Sequence, residues 1–193
     1  VIRPKIVLTA AHVVYRAKNI FILDENDIKI NVLVALYLNE WDENKLGPND
    51  IAICILDEDI LLDFYPELYQ NDDEIDKICS ISGFGVTGNF IEGFKTVDNK
   101  KRAGSNFIDE IFDGMLVTSV KNNKQTELEF LISYGDSGGG LFINNKLAGI
   151  NSGIMTDAED KILNSDQKDF AIHTRISMHR NWIKSVIEKL EKK

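Results

Sequence analysis

Apolar residues along this chain come in short runs, rich in Val and Ile and separated by polar turn residues, rather than in long stripes of helical period. The clearest case is Asn19–Leu23 (NIFIL), then Asp24–Asp27 (DEND), then Ile28–Leu38 (IKINVLVALYL). Two strand-like runs around a polar turn predict a β-hairpin, and the alternation of Val32, Val34, Leu36 and Leu38 places these residues on one buried face. Strands are also predicted at Asp50–Leu56, Lys77–Gly85, Gly114–Val120, Thr126–Ser133 (TELEFLIS), Gly140–Gly153 and Asp169–Ile176, with Asn144-Asn145 at a hairpin tip. That spacing predicts a mainly antiparallel β protein, a sandwich or barrel.

Two segments break the pattern. Ser177–Lys192 (SMHRNWIKSVIEKLEK) carries Trp182, Val186 and Leu190 four residues apart, with Ile183 and Ile187 beside them, so it predicts an amphipathic C-terminal helix with Ser177 as N-cap. Asp57–Asp76 is acidic and interrupted by Pro66, and reads as the connection between two β units.

Composition narrows the function. At 193 residues, 44% hydrophobic and 27% charged, the chain can form one large domain or two small ones. A net charge of −9 argues against nucleic acid as a partner, because phosphate-binding surfaces cluster Lys and Arg. No apolar run reaches the roughly 18 to 20 residues that cross a bilayer, so no membrane span is expected. With Cys54 and Cys79 the only cysteines, both in strand-like runs, and His12, His173 and His179 the only histidines, neither a disulfide nor a protein-made metal site is expected. The opening VIRPKIVLTAAH carries no cationic leader, and any targeting signal is expected outside this sequence.

Candidate chemistry centres on Tyr134–Phe142, YGDSGGGLF. As G-x-S-x-G it could be the nucleophile elbow of an α/β-hydrolase, but that motif needs a helix after the serine, and a glycine turn and hairpin follow instead. A flexible Gly-rich turn is the plainer alternative. Two further segments precede it: Thr9-Ala10-Ala11-His12 and Asn49-Asp50-Ile51-Ala52. Alone, His12 would be a half-buried histidine at a strand end and Asp50 a turn residue after Pro48-Asn49.

Together, TAAH, NDIA and GDSGG in this order resemble the catalytic signatures of the chymotrypsin/trypsin family of serine endopeptidases, and the resemblance spans nearly the whole chain. It implies an all-β fold of two packed antiparallel six-stranded β-barrels with a C-terminal α-helix. Residues 1–70 would form the first barrel, N-terminally incomplete in this numbering, residues 71–176 the second, and 177–193 the helix. It implies His12 as general base, Asp50 as its orienter and Ser137 as nucleophile, with an oxyanion hole from the amides of Gly135 and Ser137. Glycines would let the backbone turn both amides inward without Cβ obstruction. Ser152 would bond Asp50, and Asp136 stands where the family has an aspartate that pairs with the mature N-terminal amine. Val13 and Ser133 occupy positions where the family often has cysteines, and Ile143 stands opposite Cys79, so packing rather than cross-links must stabilise the fold.

The resemblance also places a specificity pocket, with Leu131 near its base, Ser152, Gly153 and Ile154 along one wall and Ala171 on the far side. None is acidic, which disfavours cleavage after Lys or Arg and favours small or medium apolar side chains. His173 falls behind this pocket, either as a core histidine or as a selector of acidic side chains. The run Asn99–Arg102 reads as a solvated basic loop. The implied activity is peptide-bond hydrolysis through an acyl-enzyme, on protein or peptide substrates, without cofactor, in a secreted or periplasmic location. The alternative is a non-catalytic homologue that binds partners, and esterase activity would share the same machinery.

Overall fold

The computed structural model describes residues 1–24, 26–121, 123–156 and 161–192. A first sheet has the order β1 (Ile6–Thr9), β4 (Ala52–Leu56), β3 (Lys29–Tyr37), β2 (Phe21–Leu23), all antiparallel. A second contains β8 (Arg102–Phe107), β5 (Ile78–Gly83), β11 (Gly140–Ile143), β12 (Lys146–Thr156), β13 (Asp169–Arg175), β10 (Met115–Ser119) and β9 (Glu110–Phe112), in that order. A separate ribbon pairs β6 (Thr87–Asn89) with β7 (Gly93–Thr96). The four-residue helix α1 (Ala11–Val14) follows β1, and α2 (Ile176–Glu191) closes the chain. The architecture is therefore two β-barrel units with a C-terminal helix, with four and seven strands among the described residues where six each were expected.

One apolar cluster welds the parts together. Ile6, Leu8, Ile51 and Ile53 of the first unit meet Leu147 and Ile150 of β12 and Ile176 and Ile183 of α2, with Trp182, Val186, Ile187 and Leu190 packed alongside. Each such side chain contributes about 1.5 to 3 kcal/mol on leaving water. A second cluster, including Cys79, Ile81, Leu116, Leu141 and Ala171, fills the interior of the larger sheet. Both cysteines are free and buried, and desolvation pushes the Cys54 thiol up to about 11 and that of Cys79 to about 12. The β11–β12 hairpin turns through Asn144 (φ 49°) and Asn145 (φ 62°), the left-handed pair that a tight hairpin requires.

Several expectations from the sequence need correction. The register of β3 shifts between Val32 and Val34, so alternation does not run through: Ile30 is buried and Val32 and Ala35 pack inward, while Val34 and Leu36 are 44% and 37% exposed. An extra residue in a strand flips every side chain beyond it. Thr126–Ser133 is not a strand. The Thr126 amide and hydroxyl both donate to the Glu129 carboxylate, closing a turn, and only an isolated bridge joins Glu129 to Ser105.

Helix α2 is capped by Arg175, whose extended backbone continues β13, and Ser177 lies inside the helix with its hydroxyl buried and unpaired. In the basic run, Lys100 and Lys101 are exposed, whereas Arg102 opens β8 and donates two hydrogen bonds to Asp98. The connection at 57–76 is not wholly solvated. Glu74 has no exposed surface and accepts hydrogen bonds of 2.8 and 2.7 Å from the Arg175 guanidinium.

Candidate active site

Strand β1 delivers His12. After Thr9 the chain turns at Ala10 into α1, and because Ala10 and Ala11 are small and fully buried, the turn packs tightly against the core. Asp50 grips His12 at two points. The His12 amide donates to Asp50 Oδ1 at 3.0 Å, and His12 Nδ1 lies 2.7 Å from Asp50 Oδ2. The carboxylate accepts, so Nδ1 carries the proton and Nε2 is left with a lone pair.

Asp50 itself is held by the second unit. Its side chain is 2% exposed; Ser152 Oγ of β12 donates to Oδ2 at 2.6 Å, and Thr174 Oγ1 of β13 donates to its carbonyl at 2.8 Å. Burial alone would raise the Asp50 carboxyl, but hydrogen bonds from the His12 ring, Ser152 and the His12 amide outweigh it and hold it below the usual carboxylate range. His179 Nε2 on α2 donates to the Pro48 carbonyl at 2.6 Å, anchoring the loop that carries Asp50.

Ser137 sits in a turn with Gly135 at φ +96° and Gly138 at φ +82°, conformations that L side chains rarely adopt. A Cβ on Gly138 would lie 2.2 Å from Thr9 Oγ1, so the turn nests against the very end of β1 and brings Ser137 beside the segment carrying His12. Both line one cavity. No direct hydrogen bond joins them among the described residues, a looseness common before substrate is bound. The amides of Gly135 and Ser137 are likewise unengaged among the described residues.

The Asp136 carboxylate is buried against Gly83 and Gly85, where a Cβ would approach it to 1.9 and 2.6 Å, and it accepts from the Gly85 and Ser133 amides, each at 2.8 Å. Burial pushes it above its ordinary value against the pull of those amides and of the Arg102 charge. No cation pairs with it among the described residues.

The shared cavity measures about 380 Å³ and is lined by His12, Leu46, Ile132, Ser133, Tyr134, Ser137, Ser152, Gly153, Ile154 and Leu163. Of the residues expected to form a specificity pocket, Ser152, Gly153 and Ile154 line this cavity. Leu131, Ala171 and His173 are not part of it. Leu131 and Ile132 both pack into the interior cluster, and of the two only Ile132 also reaches the cavity. Ala171 pairs across the ladder with Ile154 and is fully buried behind it.

His173 is a satisfied core histidine: Nδ1 bonds Asn151 Oδ1 at 2.9 Å, Nε2 lies 3.2 Å from Thr118 Oγ1, and burial pushes it down to about 3. Leu46 and Leu163 were missed in the sequence because both lie in loops with no periodic signal. Among the described residues no cluster of His, Cys, Asp or Glu could hold a metal ion.

Comparison with known proteins agrees with this fold. The trypsin family model matches residues 1–183. The chymases of Papio hamadryas and Macaca fascicularis are each 32% identical over 118 residues, covering 58% of this chain and 42% of theirs. The matched region thus spans less than half the length of these curated relatives. Among solved structures, neuropsin, a serine protease expressed in the limbic system of mouse brain, aligns with TM-score 0.74 over 97% of this chain and 86% of its own, at 21% identity. With a family model matched over nearly its whole length and the family's sheet architecture in place, the chain belongs to the trypsin family.

Proposed function

We propose that the chain is a serine endopeptidase whose catalytic groups are His12, Asp50 and Ser137. Ser137 Oγ attacks the scissile carbonyl while His12 Nε2 takes its proton. Asp50 keeps Nδ1 protonated and steadies the imidazolium that forms. The amides of Ser137 and Gly135 donate to the developing oxyanion. Collapse breaks the C–N bond as His12 returns the proton to the leaving amine, and water then releases the acyl group by the reverse sequence. The steps require no organic cofactor.

The observation that carries this reading is the two-point grip of Asp50 on His12, made by a carboxylate that is 2% exposed and braced by Ser152, beside a nucleophile turn seated on the end of β1. Because His12 and Asp50 lie in the first unit and Ser137 and Ser152 in the second, the site exists only where the units pack. Residues 1–70, 71–176 and 177–193 are proposed as the two barrels and the helix. Substrates are proteins or peptides, and a secreted or periplasmic location belongs to the same proposal.

A largely apolar cavity with no acidic side chain among the described residues that line it favours small or medium apolar residues before the cleaved bond and disfavours Lys and Arg, whose charge would be buried unpaired. A fluorophosphonate tests the nucleophile. Stoichiometric labelling of the wild type but not of Ser137→Ala is expected, and a folded wild type that refuses the label would favour the non-catalytic binding homologue. Digestion of a peptide library tests specificity, with dominant cleavage after Lys, Arg, Glu or Asp as the overturning result.

A further inference from the structure

A buried polar chain runs from β10 to the nucleophile turn and takes no part in the steps above. Thr118 Oγ1 lies 3.2 Å from His173 Nε2, His173 Nδ1 lies 2.9 Å from Asn151 Oδ1, and Asn151 Nδ2 donates to the Asp136 carbonyl at 3.1 Å. All three side-chain owners have no exposed surface. The directions are determined by chemistry. Asn151 uses its nitrogen as donor to Asp136, so its Oδ1 accepts and His173 Nδ1 carries the proton. Burial keeps the imidazole neutral, so Nε2 accepts from the Thr118 hydroxyl. Every proton in the chain points toward the nucleophile turn, an arrangement in which successive bonds polarise one another.

The backbone of Asn151 adds two more bonds to the same turn. Its amide donates to the Gly139 carbonyl at 2.8 Å, and the Gly138 amide donates to its carbonyl at 2.8 Å. Asn151 therefore holds residues on both sides of Ser137. It also accounts for a glycine that the catalytic steps leave unexplained: a Cβ on Gly139 would stand 2.8 Å from Asn151 Nδ2.

The Asp136 carbonyl and the Ser137 N–H belong to one planar peptide unit and point in opposite directions. Whatever fixes the carbonyl aims the amide. That carbonyl receives two donors, Asn151 Nδ2 at 3.1 Å and the Gly139 amide at 3.1 Å.

We infer that Asn151 and His173 are positioning residues for this reaction: through the Asp136 carbonyl they aim the Ser137 amide at the oxyanion. The inference rests on the endopeptidase reading and extends it to a residue pair outside the cleft. Asn151 and Ser152 then divide the work of adjacent positions in β12, one holding the nucleophile turn and the other Asp50, at the register shift between Asn151 and Gly153.

The test is kcat per site titrated with a fluorophosphonate, KM for one peptide anilide, and the affinity of a peptide aldehyde that forms the tetrahedral oxyanion. His173→Phe removes the donor to Asn151 and frees the amide to turn. It should lower kcat per titrated site by about 10- to 100-fold, short of the ~10²–10³ loss when an oxyanion donor is deleted outright, weaken the aldehyde by a similar factor and leave KM nearly unchanged. Thr118→Val, close in shape, should act in the same direction by a smaller factor and serves if His173→Phe does not fold. A lowered melting temperature with unchanged kcat per site in these variants would overturn the inference and leave His173 a structural core residue. If the wild type neither labels nor cleaves, the endopeptidase reading has failed. Amide hydrogen exchange of residues 136–139 then decides the clamp, with faster exchange in His173→Phe upholding it and no change overturning it.

Discussion

Ile154→Ala tests the reading of the cleft most directly. Ile154 is 7% exposed, lines the 380 Å³ cavity beside Ser137 and packs in the interior cluster with Leu131 and Ala171. The substitution removes three carbons and should cost about 2 to 5 kcal/mol of stability, since the site cannot collapse fully. At about 0.8 kcal/mol for each buried methylene, a substrate side chain that refills the space recovers about 2 kcal/mol, roughly 30-fold in kcat/KM. The assay is kcat/KM for peptide anilides identical except for Ala, Val, Leu, Phe or Lys before the cleaved bond. The wild type should rank Ala, Val and Leu above Phe and Lys. Ile154→Ala should raise the Phe-to-Ala ratio by roughly 30-fold without helping Lys, because none of the described lining residues is acidic. A destabilised variant with an unchanged ratio would show that Ile154 serves only the interior, and wild-type cleavage after Lys would refute the pocket altogether.

Ser137→Ala and His12→Ala should each abolish most of the activity and the double variant be scarcely worse, since the residues act as a unit; independent, multiplying losses in kcat would contradict a shared mechanism. Asp50→Asn should retain its melting temperature while losing on the order of 10⁴ in kcat by stabilising the wrong His12 tautomer. Glu74→Ala leaves the Arg175 guanidinium at the joint of β13 and α2 with only the exposed Asp72, at 3.4 Å, and should cost about 3 kcal/mol in urea denaturation, the low end for breaking a buried pair, most of it restored in the double variant Glu74→Leu, Arg175→Met. Stability should fall as pH drops from about 6.5 toward 3, by about 1.4 kcal/mol per pH unit, because the unfolded chain takes up a proton that the His173 site refuses. His179, lowered by burial, adds in the same direction, so urea midpoints between pH 7 and 4 should slope less steeply in His173→Phe.

Much of this protein was legible before folding was considered. Short apolar runs bounded by turn residues marked the strands that form at Ala52–Leu56, Ile78–Gly83, Met115–Ser119 and Asp169–Arg175, and the three short motifs singled out His12, Asp50 and Ser137 as candidates, because local patterning and short-range backbone demands are written in neighbouring residues. Trp182, Val186 and Leu190 likewise announced α2 and its buried face. What remained hidden depends on partners far along the chain. The shift in β3 that turned Val34 and Leu36 outward is a property of pairing with β4, and no alternation within β3 could reveal it. Glu74 is written in an acidic, Pro-interrupted stretch that reads as a connection between two β units, and only the arrival of Arg175 permits its burial. His173 lay close enough in sequence to the expected pocket to be counted with it, yet the tertiary structure buries it away from the cavity and joins it to Asn151 and Thr118. Strand position sets the face a side chain takes, but three-dimensional packing alone decides whether that face meets substrate, solvent or another buried polar group, because the cost of an unpaired polar atom is assessed against its final neighbours.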